Sequence, residues 1–135
     1  GLYQLLQNSS GYEEWIAFGV YAIVRDATHR AQNMWIFLPE SFISVVQKPG
    51  DTDTLTVRAR IKGDIESVFP EAYVEADKGT DYKYRARVSR HAVAQVLHDQ
   101  VMDLNWGNFK GEVKDRKRHD AYMNVWRAMY AVQDR

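Results

Sequence analysis

Val57-Arg58-Ala59-Arg60-Ile61 and Tyr84-Arg85-Ala86-Arg87-Val88 are two copies of one pattern, with apolar and cationic residues in strict alternation. A period of two puts the arginines on one face of a strand and the apolar residues on the other. Each copy runs into a helix signal. Asp64–Phe69 follows the first and is stopped by Pro70, while Ser89 stands as an N-cap before a helix over 90–104 after the second. Two alike strand–helix units sharing one sheet predict an α+β fold, and strand–helix–strand–strand–helix is most of a ferredoxin-like plait.

Upstream of the first copy, Phe42–Gln47 is apolar on both faces, and Lys48–Asp53 carries Pro49-Gly50 and two aspartates, a turn signal. A hairpin between Phe42–Gln47 and Thr54–Ile61 fills the place of the plait's missing last strand. Between the copies, Ala72–Asp77 alternates and Lys78-Gly79 turns the chain into the strand Tyr82–Val88. There Tyr82, Tyr84, Ala86 and Val88 oppose Lys83, Arg85 and Arg87. The expectation is a four-stranded antiparallel sheet, a permuted plait with the two Arg-Ala-Arg strands adjacent at its centre. Helices are added at both ends. Val93, Val96, Leu97, Val101 and Leu104 stripe the helix over 90–104. Asn105–Asp115 reads as a loop, and Tyr122, Val125, Trp126, Met129 and Val132 mark one face of a helix over 118–132.

Residues 1–33 read as an N-terminal extension of a domain spanning 34–135, with Met34 placed as a natural initiator. Ser10 and Glu13 form a capping box, and Tyr12, Ile16, Gly19, Ile23 and Ala27 recur at helical spacing, which favours a helix over 11–30. The β-branched and aromatic content of 15–24 keeps a strand as the alternative.

A chain of 135 residues suits one domain, and its 45% apolar content can build a core unaided. There is no cysteine, so disulfides, thiolate metal sites and cysteine nucleophiles are excluded. Eighteen basic residues balance eighteen acidic ones, against the basic excess usual for bulk binding of nucleic acid. The longest apolar run, Trp15–Val24, is too short to span a bilayer and lacks the flanks of a signal peptide. A cytoplasmic location is expected.

The chemistry lies in Arg58, Arg60, Arg85 and Arg87, which on adjacent strands project from the face opposite the first two helices. Near neighbours lie about 5 Å apart there. Each close pair then costs about 1–3 kcal/mol, so something must offset it. One candidate is internal: Glu75 and Asp77 face Lys83 and Arg85 across the Lys78-Gly79 turn. The other is a bound phosphate, carboxylate or nucleotide held by forked guanidinium donors. Carboxylates reach Arg85 and Arg87 more readily, which favours Arg58 and Arg60 for a ligand. Because Phe42–Gln47 is apolar on both faces, the arginine face is expected to be covered by the N-terminal helix, the last helix or a second subunit. Either a groove or an interface is therefore expected there, the interface being that of a homodimer.

Asn108 and Phe109, in an aromatic and polar loop, are further ligand-binding candidates, against a role for Trp106 and Phe109 in plugging the core. Residues 110–118 hold five basic against two acidic residues, a basic turn. None of the four histidines has zinc-site spacing, so no metal is expected. His119-Asp120 is a weak acid–base candidate without a nucleophile beside it. P-loop, nucleophile-elbow and dinucleotide fingerprints are missing, so no cofactor is expected. The residues thus point to a binding or interaction protein holding an anionic, phosphate- or nucleotide-like ligand. The alternatives are an enzyme acting on a phosphorylated small molecule or nucleotide, with the arginines as clamp and His119 as acid–base group, and a purely structural or assembly subunit.

From Met34-Trp35 onward, the chain resembles a family of small uncharacterised bacterial and phage proteins. The resemblance is carried by Val57-Arg58-Ala59-Arg60, Tyr82 to Val88, Asn108-Phe109-Lys110, and His119 through Trp126 with Tyr122 between. It implies a self-contained domain after residue 33 and no particular activity.

Overall fold

The computed structural model describes residues 12–17, 20–25, 33–76 and 79–133. The chain divides into two compact units, Gly1–Ala31 and Gln32–Arg135. In the first, β1 (Tyr12–Ala17) and β2 (Val20–Arg25) pair antiparallel, with Tyr12 opposite Arg25 and Ala17 opposite Val20. The helix expected over 11–30 is therefore replaced along these residues by its alternative. β-branched and aromatic residues favour a pleated strand over a helical turn.

The second unit holds a five-stranded antiparallel sheet in the order β3-β4-β5-β7-β6. Its strands are β3 (Asn33–Leu38), β4 (Ser41–Val46), β5 (Thr54–Ala59), β6 (Glu75–Ala76) and β7 (Tyr84–Ser89). The two arginine strands are neighbours, as expected. β3 is a strand beyond the expected four; its hairpin with β4 closes through Pro39-Glu40, with Leu38 opposite Ser41. The strand anticipated over 72–77 shrinks to two residues beside β7.

Helices α1 (Asp64–Val68) and α2 (Arg90–Met102) follow the two arginine strands. Their Ile65, Val68 and Val93 join Ile43, Val45, Val57, Ala59, Ala86 and Val88 in one core. Each fully buried aliphatic side chain there contributes about 1.5–3 kcal/mol. Ser89 caps α2 by accepting from the Ala92 amide at 3.0 Å. Two glycines turn the chain into its elements. Gly50 (φ 90°) closes Lys48-Pro49-Gly50-Asp51 and Gly63 (φ 96°) precedes α1, both in the left-handed region that a side chain disfavours.

The expected loop 105–115 contains a single turn, α3 (Phe109–Glu112), before α4 (Arg116–Gln133). The first half of α4 is tied to the sheet: Phe37 meets the Tyr122 ring edge-on at 5.2 Å. Its second half leaves Val125, Trp126, Met129, Tyr130 and Val132 exposed. No helix among the described residues is long and apolar enough to cross a membrane.

Candidate functional site

Alternation along β5 sends Leu55, Val57 and Ala59 towards the core, which leaves Thr56 and Arg58 on the opposite, far face. On β7 the same rule puts Arg85 and Arg87 on that far face. The register then sets Arg58 directly opposite Arg85 and Thr56 opposite Arg87. Ser44 and Val46 of β4 share this face and are nonetheless buried, in line with a strand covered on both sides.

The four arginines do not behave alike. Arg87 Nη2 donates to Asp51 Oδ1 at 2.6 Å, and Arg60 Nη1 donates to the Asp81 carbonyl at 3.0 Å and its Oδ1 at 3.3 Å. Arg58 Nη2 donates to Ser44 Oγ at 2.9 Å, and its Cζ stands 4.4 Å from the centroid of the Tyr82 ring. Neither Arg58 nor Arg85 forms an ion pair with a carboxylate among the described residues. The Nε atoms of both are buried without a hydrogen-bond acceptor among the described residues. Leaving such a donor unsatisfied costs about 1–3 kcal/mol.

The paired and unpaired arginines therefore divide differently from expectation, which assigned carboxylates to Arg85 and Arg87 and left Arg58 and Arg60 free. Asp51 and Asp81, both in turns, intercept one arginine from each strand. Glu75 lies opposite Arg85 in the backbone register but is exposed and makes no ion pair with it. Asp77, the other expected partner, lies outside the described residues. Tyr82 also departs from its expected side. Pairing of β5 with β7 ends at Ala59 and Tyr84, so the alternation lapses and the Tyr82 ring lies against Arg58 and Arg60, both about one ring contact away at 4.4 and 4.3 Å.

Asp51 is the buried hub of this face. Its carboxylate accepts from the Lys48 amide at 2.9 Å, from Thr56 Oγ1 at 3.0 Å and from Arg87 at 2.6 Å. The Lys48 amide, the Thr56 hydroxyl and the Arg87 charge hold its carboxyl below the usual carboxylate value against the opposing effect of burial.

Two hollows open on the far face. One, of about 490 Å³, is lined by Lys48, Thr56, Tyr73, Glu75, Arg85 and Arg87. The second, about 710 Å³, lies where α4 meets the β3–β4 end of the sheet. Trp35, Phe37, Phe42, Tyr82 and Tyr122 give it aromatic walls, and Arg60, Lys117 and Arg118 bring positive charge. Arg118 is committed to Asp64: its Nη2 donates to Oδ1 at 2.7 Å and its Nη1 to Oδ2 at 2.9 Å. The Tyr122 hydroxyl sits 3.0 Å from the carbonyls of Leu38 and Ser41 and accepts from Arg118 Nη1 at 3.3 Å. Burial opposes the guanidinium charge, but the bonds to Asp64 and Tyr122 outweigh it and push Arg118 up. Burial likewise pushes the Tyr122 phenol up, with Arg118 offsetting part of that.

The remaining candidates lie elsewhere. Asn108 caps α3 by accepting from the Lys110 amide at 3.1 Å, and Phe109 stacks on Tyr122 at 5.8 Å. They border a hollow with Trp126 and Met123, apart from the arginine pair. His119 points its Nδ1 to Asp120 at 3.3 Å and lines neither far-face hollow. Asp51, Asp64, Arg118 and Tyr82 were not recognised from sequence. Asp51 had a readable signal, an aspartate closing a Pro-Gly turn beside an alternating strand. Asp64 and Arg118, which are 54 positions apart, had none.

Comparison of the chain with protein-family models, with curated proteins and with solved structures finds no match.

Proposed function

We propose that this chain is a binding protein that holds a small phosphate- or carboxylate-bearing ligand on the far face of its sheet. One observation carries the reading: Arg58 and Arg85 stand directly opposite each other and, among the described residues, have no carboxylate partner and keep a buried Nε without an acceptor. An anion bridging their guanidinium ends relieves their mutual repulsion, and charge-assisted contacts of that kind are roughly twice as strong as neutral hydrogen bonds. Lys48 and Arg87, around the adjoining hollow, add donors.

The strand order fits a ferredoxin-like plait in permuted form, with β3 added at one edge. In that reading the face away from α1 and α2 is the one left for a ligand. Binding without catalysis is favoured over the enzyme reading because His119 lines neither far-face hollow. The lack of cysteine suits the cytoplasmic setting that we include in the proposal.

Isothermal calorimetry with inorganic phosphate and ribose 5-phosphate tests the reading at constant ionic strength. Binding that Arg85→Gln weakens at least about tenfold supports it, since charged hydrogen bonds of about 1.5–3 kcal/mol are removed. No binding at millimolar ligand, or binding indifferent to Arg85→Gln, removes it.

Self-association is a second reading, favoured by the exposed Met34 and Trp35 on the edge strand β3 and the exposed apolar second half of α4. An edge strand without charge or proline is a template for pairing. Light scattering checks it: a dimer converted to monomer by Trp126→Glu supports it, and a monomer at 100 μM or so sinks it.

A further inference from the structure

The aromatic cleft and the arginine pair share a wall. Tyr82 lines the cleft, and its ring lies 4.4 Å from Arg58 Cζ and 4.3 Å from Arg60 Cζ. An anion on Arg58 and Arg85 is thus one ring away from a hollow of about 710 Å³. At the mouth of that hollow stands Trp35, 65% exposed. Its one ring contact among the described residues is Phe42, which meets it at 6.2 Å and 79°.

We infer that the ligand is a nucleoside monophosphate, with its phosphate on Arg58 and Arg85 and its base in the cleft against Trp35. This rests on the anion-binding reading above. A planar ring with an open π-face is the chemistry that exposed tryptophan and guanidinium faces recognise. Lys117 and Asp115 border the same cleft and offer the base edge a donor and an acceptor. The arginine pair is small, and the chain carries as many acidic as basic residues, 18 of each. A polynucleotide, whose affinity comes from many phosphate contacts, is a poor fit to that balance.

Calorimetry compares AMP, GMP, CMP and UMP with ribose 5-phosphate on the full chain. At least one nucleotide should bind about tenfold or more tightly than the sugar phosphate, the usual return from stacking one base. Trp35→Ala should erase that difference and leave ribose 5-phosphate unchanged, whereas Arg85→Gln should weaken both. Adenosine or guanosine should bind weakly and lose binding with Trp35→Ala, a check that does not involve phosphate. If all four nucleotides bind no better than ribose 5-phosphate, and Arg85→Gln still weakens that sugar phosphate, the nucleotide assignment falls and the anion site stands. If neither class binds, both fall. Because Trp35 is exposed, its replacement should leave the melting temperature near that of the wild type; Trp35→Leu, which also removes the stacking face, is the second variant if it does not.

Discussion

Arg118 of α4 grips Asp64 at the start of α1 with two parallel hydrogen bonds, 2.7 and 2.9 Å long, across 54 positions of sequence. The side chains are 9% and 5% exposed, so both charges have left water. Ser41 and Phe42 complete the knot: the Phe42 amide donates to Asp64 Oδ2 at 3.0 Å, and Ser41 Oγ donates to the Asp64 carbonyl at 2.8 Å. The pair therefore binds the last helix, the first helix and the β3–β4 hairpin together.

Removing one partner leaves a buried charge alone. Arg118→Met should destabilise the chain by about 3–5 kcal/mol, and the double variant Asp64→Asn/Arg118→Met should recover a good part of that loss. Urea denaturation of the three proteins decides it. Equal losses for the single and double variants would show that the knot acts by packing rather than by charge.

Asp51 makes stability depend on acid. Its folded carboxyl titrates below the ordinary value of 3.8, so the stabilisation is fully present above that pH. It is lost as pH falls through the lower, folded value. Asp51→Asn should flatten this part of the stability profile and cost about 1–3 kcal/mol at neutral pH, because the Arg87 and Thr56 donors lose a charged acceptor. Thermal melts between pH 2 and 7 of both proteins read the difference.

Without an anion, Arg85 is a burden on the fold. Arg85→Gln should leave stability unchanged or raise it by up to about 1 kcal/mol in chloride buffer, by removing a like charge directly across from Arg58. Adding phosphate at fixed ionic strength should then raise the melting temperature of the wild type and not of the variant.

Gly50 stands at φ 90° with nothing within 4 Å of where a Cβ would sit. Its replacement by alanine meets no clash, only the backbone preference, and should cost about 1–2 kcal/mol. A larger loss in denaturant midpoint would mean that the turn also moves Asp51.

The central strands were legible because alternation is a local property: five residues of Val57–Ile61 reveal their two faces without knowledge of any partner. Adjacency of β5 and β7 followed from the duplicated pattern, and Ser89 announced its cap three residues ahead of the amide that it receives. β3 was left out of the expected four-stranded sheet because Trp35–Leu38 is a short apolar run that periodicity alone cannot assign. Strands over 12–17 and 20–25 stand where a helix was expected for a related cause: the apolar run there satisfies both periods. Pairing of charges was the least legible part. Which carboxylate reaches which guanidinium depends on where turns fold back, and Asp51 and Asp81 arrive from turns that the alternation of the strands does not describe.

The Asp51 carboxylate takes hydrogen bonds from Thr56 on β5 and from Arg87 on β7, two residues directly across from each other. A pin through opposed residues of the two central strands fixes how they slide. Were β7 displaced by one position, Arg85 and Arg87 would swing into the hydrocarbon interior while Ala86 and Val88 turned to solvent. The misaligned chain would thus bury two cations, and Arg87 would lose the buried Asp51 carboxylate that answers it. An odd-numbered slip between these two strands would therefore carry a penalty that the native register avoids.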